Sequence, residues 1–381
     1  MTRRAGHAIC DRAVSFLEAV YSPDLALFPY STNVCEGRYV NDFRREESIR
    51  YTINTLLGLQ EAARTAGRPE ATAVAAAEDA FLERRYGDIR SFADLGLLLV
   101  LLRDRLDDPR AVDALRRVDE VVSGPAVRAL DMQSLAWMLW GLCAAAPASA
   151  AAERLACRLF GTIVSDFVGD SGLPRHSLKR YRRDIVSFGA IVYFLRAMHE
   201  FAALMNDSQA RRLFENGVER MIRIQGPRGE WPWLTSVRGA RSVEFYPVFG
   251  VHQDSMAMLF LLPALDAGLP GAGEAISRSF EWVLGANELE LPMYAERPFR
   301  AYRSIERTDA APRAARYARA LTNVALHRRS TVADGRGVRI NPECRSYHLG
   351  WILYVWSSRP VLLGELSGDT SVPDAGQPSF A

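Results

Sequence analysis

Two kinds of apolar, helix-length run alternate along the chain. In six of them a polar or charged cluster opens a stretch that is apolar over most of its circumference: Glu46–Arg64, Ser91–Arg105, Asp131–Ala146, Asp184–Leu204, His252–Ala267 and Cys344–Ser357. A plainer run precedes each, near His7–Tyr21, Glu70–Tyr86, Pro109–Val122, Ala150–Phe167, Ser208–Ile224 and Gly273–Gly285. In the fifth opener Met256, Leu259, Phe260, Pro263 and Ala264 follow the three- and four-residue spacing of one buried helical face. A helix apolar all round is buried, whereas one with a charged face meets solvent. The run before it carries Arg211, Arg212, Glu215, Glu219 and Arg220 as a wet face. The openers are therefore expected to form an inner ring and the plainer runs an outer one. Six such hairpins make an all-α, single-domain (α/α)6 toroid over residues 1–360, and strand alternation is nearly absent. Residues 361–381, rich in Ser, Gly, Pro and Asp, have no apolar period and are expected to be a disordered tail.

Loop lengths orient this ring. Connections from inner to next outer helix are short, as at Leu106–Asp108, Ala146–Ser149 and Met205–Asp207. Four connections from outer to inner helix are long: Ser22–Arg45, Val168–Arg183, Gln225–Val251 and Ala286–Glu343. Long ordered loops inside a domain are usually functional. All four should emerge where the inner helices begin, and that end is expected to be the working face.

Composition narrows the classes. Lys+Arg 47 against Asp+Glu 45 leaves a formal charge of +2, with only Arg175–Arg183 locally basic, so no nucleic-acid partner is expected. No run of eighteen or more uncharged apolar residues suggests a membrane span, and the basic start has no continuous apolar core before Asp11. Five widely spaced cysteines form neither a disulfide framework nor a CxxC pair, and Cys143 and Cys157 read as core thiols. A cytoplasmic location fits, while oligomeric state is not readable.

The densest chemistry lies in the fifth hairpin, where GEWPW (Gly229–Trp233) leads to EFYPVFGVHQD (Glu244–Asp254). Trp231, Trp233 and Tyr246 lie in a Pro/Gly-broken loop and read as faces for a sugar ring, or else as a loop's own small core. Asp254 sits in the first turn of an inner helix, either complementing the helix dipole or pointing into the mouth with His252 and Gln253. Its counterparts from other hairpins are Asp184, Arg50 with Tyr51, and Glu343, Arg345, Tyr347 and His348. Glycoside chemistry needs two carboxyl groups flanking the scissile bond, and Asp254, Glu343 and Glu288 are the catalytic candidates, with Glu230, Asp184 and Glu47 behind them. Arg175 and His176 open a basic stretch suited to an anionic or polar group, or to solvent. Cys344 and His348, four apart, lack a third ligand, so no metal and no cofactor are expected. GxSxG, P-loop and Rossmann fingerprints are missing.

GLPRHS (Gly172–Ser177), SFGAIVYFLRAM (Ser187–Met198), VHQDSMA (Val251–Ala257), WVLGANEL (Trp282–Leu289) and ECRSYHLGWILY (Glu343–Tyr354) give the chain its resemblance. It resembles the (α/α)6-toroid superfamilies, which include six-hairpin glycosidases and the terpenoid cyclase/protein prenyltransferase group. Within them it looks like uncharacterised bacterial toroid proteins associated with polysaccharide biosynthesis. The resemblance spans about residues 25–358 and implies an architecture more than a reaction. Departures are clear: no DxDD motif occurs, Asp107–Asp108 runs into Pro109 and Arg110 rather than DDxxD, and no adjacent Cys-His pair is present.

Three functions follow. The first is an enzyme acting on a small-molecule or oligosaccharide substrate by acid/base chemistry in the mouth, by glycosidic cleavage or by lyase or epimerase chemistry. The second is a cyclase or prenyltransferase-like enzyme of natural-product biosynthesis, with aromatics facing a carbocation. The third is a non-catalytic toroid that binds a glycan or partner, whose mouth carboxylates would all be paired with arginines.

Overall fold

The computed structural model describes residues 8–66, 71–309 and 313–367. Among them fourteen α-helices run in chain order: α1 Ala8–Val20, α2 Arg45–Ala66, α3 Ala71–Arg85, α4 Phe92–Leu101, α5 Pro109–Ser123, α6 Met132–Ala145 and α7 Ala150–Thr162. There follow α8 Phe188–Met205, α9 Ser208–Ile224, α10 Met258–Asp266, α11 Ala272–Leu284, α12 Arg313–Ala325, α13 Ser346–Trp356 and α14 Pro360–Ser367. The inner ring is α2, α4, α6, α8, α10 and α13; neighbours pack in that order, with α13 meeting the turn His252–Met256 that opens α10 and closing the ring against α2. The outer helices α1, α3, α5, α7, α9 and α11 each back the inner ring. This is the (α/α)6 toroid that the alternating runs predict.

Burial separates the rings as the polarity pattern requires. In α4 nine of ten residues are buried, whereas in α5 only Ala111, Ala114, Val118, Val121 and Val122 are. The α8 helix is long and apolar enough to cross a membrane by length and composition, but it is an inner-ring helix with most of its length buried in the protein. Helix starts are fixed locally. Asp131 caps α6 by accepting from Ser134 N at 2.9 Å, Asp207 caps α9, and Asp108 caps α5 with Pro109 in its first turn.

Two inner-ring contacts are closer than side chains would permit. A Cβ added to Gly58 of α2 would lie 2.0 Å from the Gly350 carbonyl oxygen of α13. One added to Gly141 of α6 would lie 2.2 Å from that of Gly96 in α4. Only glycine lets these backbones meet.

The four long connections lie at the end where the inner helices begin: strand pairing joins three of them, and a bridge from Thr32 to Cys344 ties the first to the start of α13. Ile185–Ser187 pairs with Leu234–Ser236, which pairs with Arg241–Glu244. Val248–Phe249 pairs with Ser304–Arg307, which pairs with Val338–Asn341. Separate loops are thus stitched into one cap. The sequence reading missed these strands and α12 because their pairing partners lie in other loops, so no local alternation announces them. Cys143 is buried, but Cys157 is exposed: it falls on the wet face of the outer helix α7. At the other end of the chain α14 continues to Ser367, packed on α11. Residues 368–381, the rest of the expected tail, lie outside the described residues.

Candidate functional site

The mouth is built from the inner-helix starts and the cap. At its rim Tyr30, from the first long loop, stacks on Tyr51 of α2 (centroids 5.4 Å, planes 10° apart), and Tyr51 meets Tyr347 of α13 at 4.4 Å. Arg345 lies over the Tyr30 ring, 3.6 Å from its centroid. Burial, reinforced by Tyr347, raises the Tyr51 hydroxyl well above the usual tyrosine range, so that hydroxyl stays a neutral donor at ordinary pH.

Two charge clusters flank the tyrosines. Glu343 accepts from Arg303 Nη1 at 2.6 Å and from Arg345 Nη2 at 2.7 Å. Burial pushes its pKa up, but the two arginines outweigh this and hold it below the usual carboxylate range. Arg50 Nε donates to Asp94 at 2.6 Å and its guanidinium lies over Trp137, 5.5 Å from the ring centroid.

Deeper in, the fifth inner helix opens with a π-helical turn, His252–Met256, before α10. Asp254 therefore stands in a widened turn, not in a regular first α-turn. Such insertions re-aim side chains and are frequent at functional sites. Its carboxylate, 1% exposed, lies 2.8 Å from His348 Nε2 through both oxygens and accepts from Tyr294 OH at 2.7 Å. Its backbone oxygen accepts from Trp356 Nε1. His252 is sandwiched between Phe188 (4.5 Å) and Phe249 (4.9 Å), with Nδ1 buried and unpartnered. Burial, with the neighbouring His348, lowers its pKa to about 3, so it is neutral near pH 7. Gln253 is fully buried, donating to the Phe249 carbonyl and leaving Oε1 without a partner.

Of the candidates read from sequence, Arg50, His252, Gln253, Asp254, Glu343, Tyr347 and His348 are brought to the mouth. Others go elsewhere. Glu288 is not at the mouth: its oxygens accept from Tyr246 OH (2.9 Å) and Trp282 Nε1 (3.1 Å) in a buried cluster. Trp231 and Tyr246 are fully buried and present no open face; Trp231 donates to Ser279 Oγ at 2.8 Å. Trp233 packs half-buried on Ile185, Leu234, Val243 and Ala320. The aromatic loop thus forms its own core, because the cap's strands bring several loops together over it. Glu230, fully buried, accepts from Arg228 N at 2.8 Å, and burial raises its pKa to about 7. Asp184 precedes a strand and pairs with Arg238 at 3.4 Å; the helix begins later, at Phe188, capped by Ser187. His176 is buried and held by Ser187 and Arg182, while Arg175 is half-buried with Nε unpartnered.

Sequence reasoning missed Tyr30, Asp94, Tyr294 and Arg303. Their only signal was membership of a long loop or, for Asp94, the polar opening of an inner helix. Among the described residues no group of three or more His, Cys, Asp and Glu side chains is arranged to hold a metal. Burial pushes the Cys344 thiol up to about 12, far from a metal-ready thiolate.

No protein-family profile and no curated protein matches the chain. Solved structures do. A sugar epimerase from a ruminal bacterium is similar with a TM-score of 0.63 at 11% identity, covering 93% of this chain and 98% of that one. A glycosyl hydrolase of family 88 from Bacteroides vulgatus gives 0.59 at 12% identity, covering 93% and 97%. An α-1,6-mannanase from a Salegentibacter species gives 0.60 at 9%, covering 93% and 98%, and an inactive variant of it was solved with α-1,6-mannotriose. The helical order, the closed inner ring and these likenesses together identify the chain's fold as an (α/α)6 toroid.

Proposed function

We propose that this protein is a carbohydrate- or glycoconjugate-active enzyme that transfers protons in the toroid mouth. The Asp254–His348 pair is its acid/base unit. The observation that carries this reading is the pair itself: a buried carboxylate bridging a histidine and a tyrosine at two inner-helix starts, below a tyrosine–arginine rim. A carboxylate bonded to an imidazole fixes its tautomer and orientation, as a general base requires. Tyr30, Tyr51 and Tyr347 offer faces and hydroxyls to a sugar, and Arg303, Arg345 and Arg50 offer donors. His252, neutral and unpartnered at Nδ1, binds a hydroxyl or carbonyl of the substrate. Sugar-active proteins among the similar structures support the substrate class.

Among reaction classes, proton abstraction and return, as in an epimerase or lyase, suits the geometry better than two-carboxylate cleavage. Glu343 is occupied by two arginines, and Glu288 is sealed under Tyr246 and Trp282. Glycosidic cleavage is the second reading, favoured because the arginines keep Glu343 ionised and able to face a developing positive charge. A panel of reducing sugars, uronates and oligosaccharides incubated in D2O and followed by NMR separates the two. Epimerase chemistry exchanges a carbon-bound proton with solvent, lyase chemistry leaves an unsaturated sugar, and hydrolysis releases a new reducing end with neither change. Removing a true general base costs about 10²–10⁴ in rate, so His348→Ala and Asp254→Asn should each abolish most turnover. Turnover within a factor of about two of wild type in Asp254→Asn, far from that range, defeats the assignment.

A further inference from the structure

At the end opposite the mouth, where the inner helices finish, a cavity of about 560 Å3 opens between α2, α4, α6, α8, α10 and α13. That volume is in the range of small-molecule sites. A column of aromatic rings closes it off from the mouth. Trp137 meets Tyr193 at 4.7 Å, Tyr193 meets Trp351 at 6.1 Å, and Trp351 stacks on Trp140 at 6.1 Å. Arg50 covers the mouth end of this column and Arg196 the far end, 5.1 Å from the Trp140 centroid. The two openings are therefore separate compartments.

The charges lining the cavity do not cancel. Glu61 takes Arg64 at 2.5 Å, Glu200 takes Arg196, and Asp266 takes Arg359. Arg103 shares Glu61 with Arg64. Its side chain is only 18% exposed, yet its nearest carboxylates are Asp104 at 3.7 Å and Glu61 at 3.8 Å, too far for hydrogen bonds. A guanidinium carries five donors, and ion pairs this long leave them free to hydrogen-bond a ligand. Arg196 Nε is buried without a partner. Tyr354 lies in the fields of Arg196, Glu200, Arg103 and Glu61 and lines the same space. The inner-helix C-termini at this end carry partial negative charge, so an anion here must be held by the arginines and not by the helices.

We propose that this cavity is a second binding site, independent of the mouth, for a small ligand bearing one oxyanion, received by Arg103 together with Arg196 Nε and the Tyr354 hydroxyl. The test is calorimetry on the full chain at fixed ionic strength. The probes are inorganic phosphate, glucose 6-phosphate and glucuronate, with glucose as the uncharged control. At least one anion should bind saturably with an affinity that Arg103→Gln lowers, and glucose should give no binding that Arg103→Gln changes; whether phosphate or carboxylate binds names the oxyanion. Charge-assisted hydrogen bonds of this kind imply at least about tenfold weaker binding in Arg103→Gln. Tyr354→Phe should weaken binding by a smaller factor, and Arg303→Gln, at the mouth, should not change it. The proposal is overturned if no anion saturates below about 10 mM, or if Arg103→Gln and Tyr354→Phe both bind as wild type does. It is equally overturned if only Arg303→Gln loses binding. Should Arg103→Gln fail to fold, Tyr354→Phe decides alone. Binding is read without turnover, so the outcome stands apart from the fate of the mouth chemistry.

Discussion

Replacing Glu230 by glutamine should leave stability in acid nearly unchanged and raise it above neutrality. The carboxyl is fully buried, with one oxygen accepting from Arg228 N and the other, Oε1, unpartnered. Burial raises its pKa from 4.5 to about 7. The unfolded chain loses this proton near pH 4.5, whereas the folded chain keeps it until about 7. Between those values the folded state binds more protons, so stability falls as pH rises and is flat beyond. At about 1.4 kcal/mol per pKa unit, the shift implies a loss of about 3 kcal/mol across that window. Glutamine has no proton to lose. Urea unfolding of wild type and Glu230→Gln at pH 4.5 and pH 8 should therefore show a difference between the variants that grows by about 3 kcal/mol from the first pH to the second. Whatever the amide's own packing cost, it cancels in that comparison. Parallel stabilities at both pH values would refute the buried-acid reasoning. Activity should be unaffected, because Glu230 lies outside the mouth.

Gly96→Ala should cost several kcal/mol, at or above the ~1–3 of ordinary overpacking, since its Cβ would lie 2.5 Å from Trp137 backbone atoms that cannot swing aside. Urea midpoints check this, and a midpoint close to wild type would mean the α4–α6 approach is looser than described. For His252, the folded pKa of about 3 lies below the usual 6.5, so its contribution is full above pH 6.5 and is lost as pH falls toward 3. The largest loss is on the order of 5 kcal/mol, and His252→Asn should flatten this acid limb of the stability profile measured by thermal melts. An unchanged limb would place the acid sensitivity elsewhere.

The ring was legible because helix periodicity is local. Apolar-all-round α4 against one-faced α5 is visible in ten to fifteen residues, and unequal loop lengths then indicate the working end. The mouth was half legible. Residues on inner-helix starts, such as Arg50, Asp254 and His348, inherit their placement from the ring. Loop residues do not, and there the reading failed in both directions: Trp231, Tyr246 and Glu288 turned inward, while Tyr30, Tyr294 and Arg303 turned out to matter.

By itself the sequence determined which segments form the ring helices, which of them are buried all round, and hence a closed ring of six hairpins with its long loops at one end. Hydrophobic burial acts on every residue of a run, so the pattern carries that information redundantly. Only the tertiary structure decided that Asp254 meets His348 and Tyr294 and that two arginines hold Glu343. Each of these depends on a few polar atoms from distant segments meeting within about 3 Å. No local periodicity encodes such a meeting; it exists only once the ring has closed.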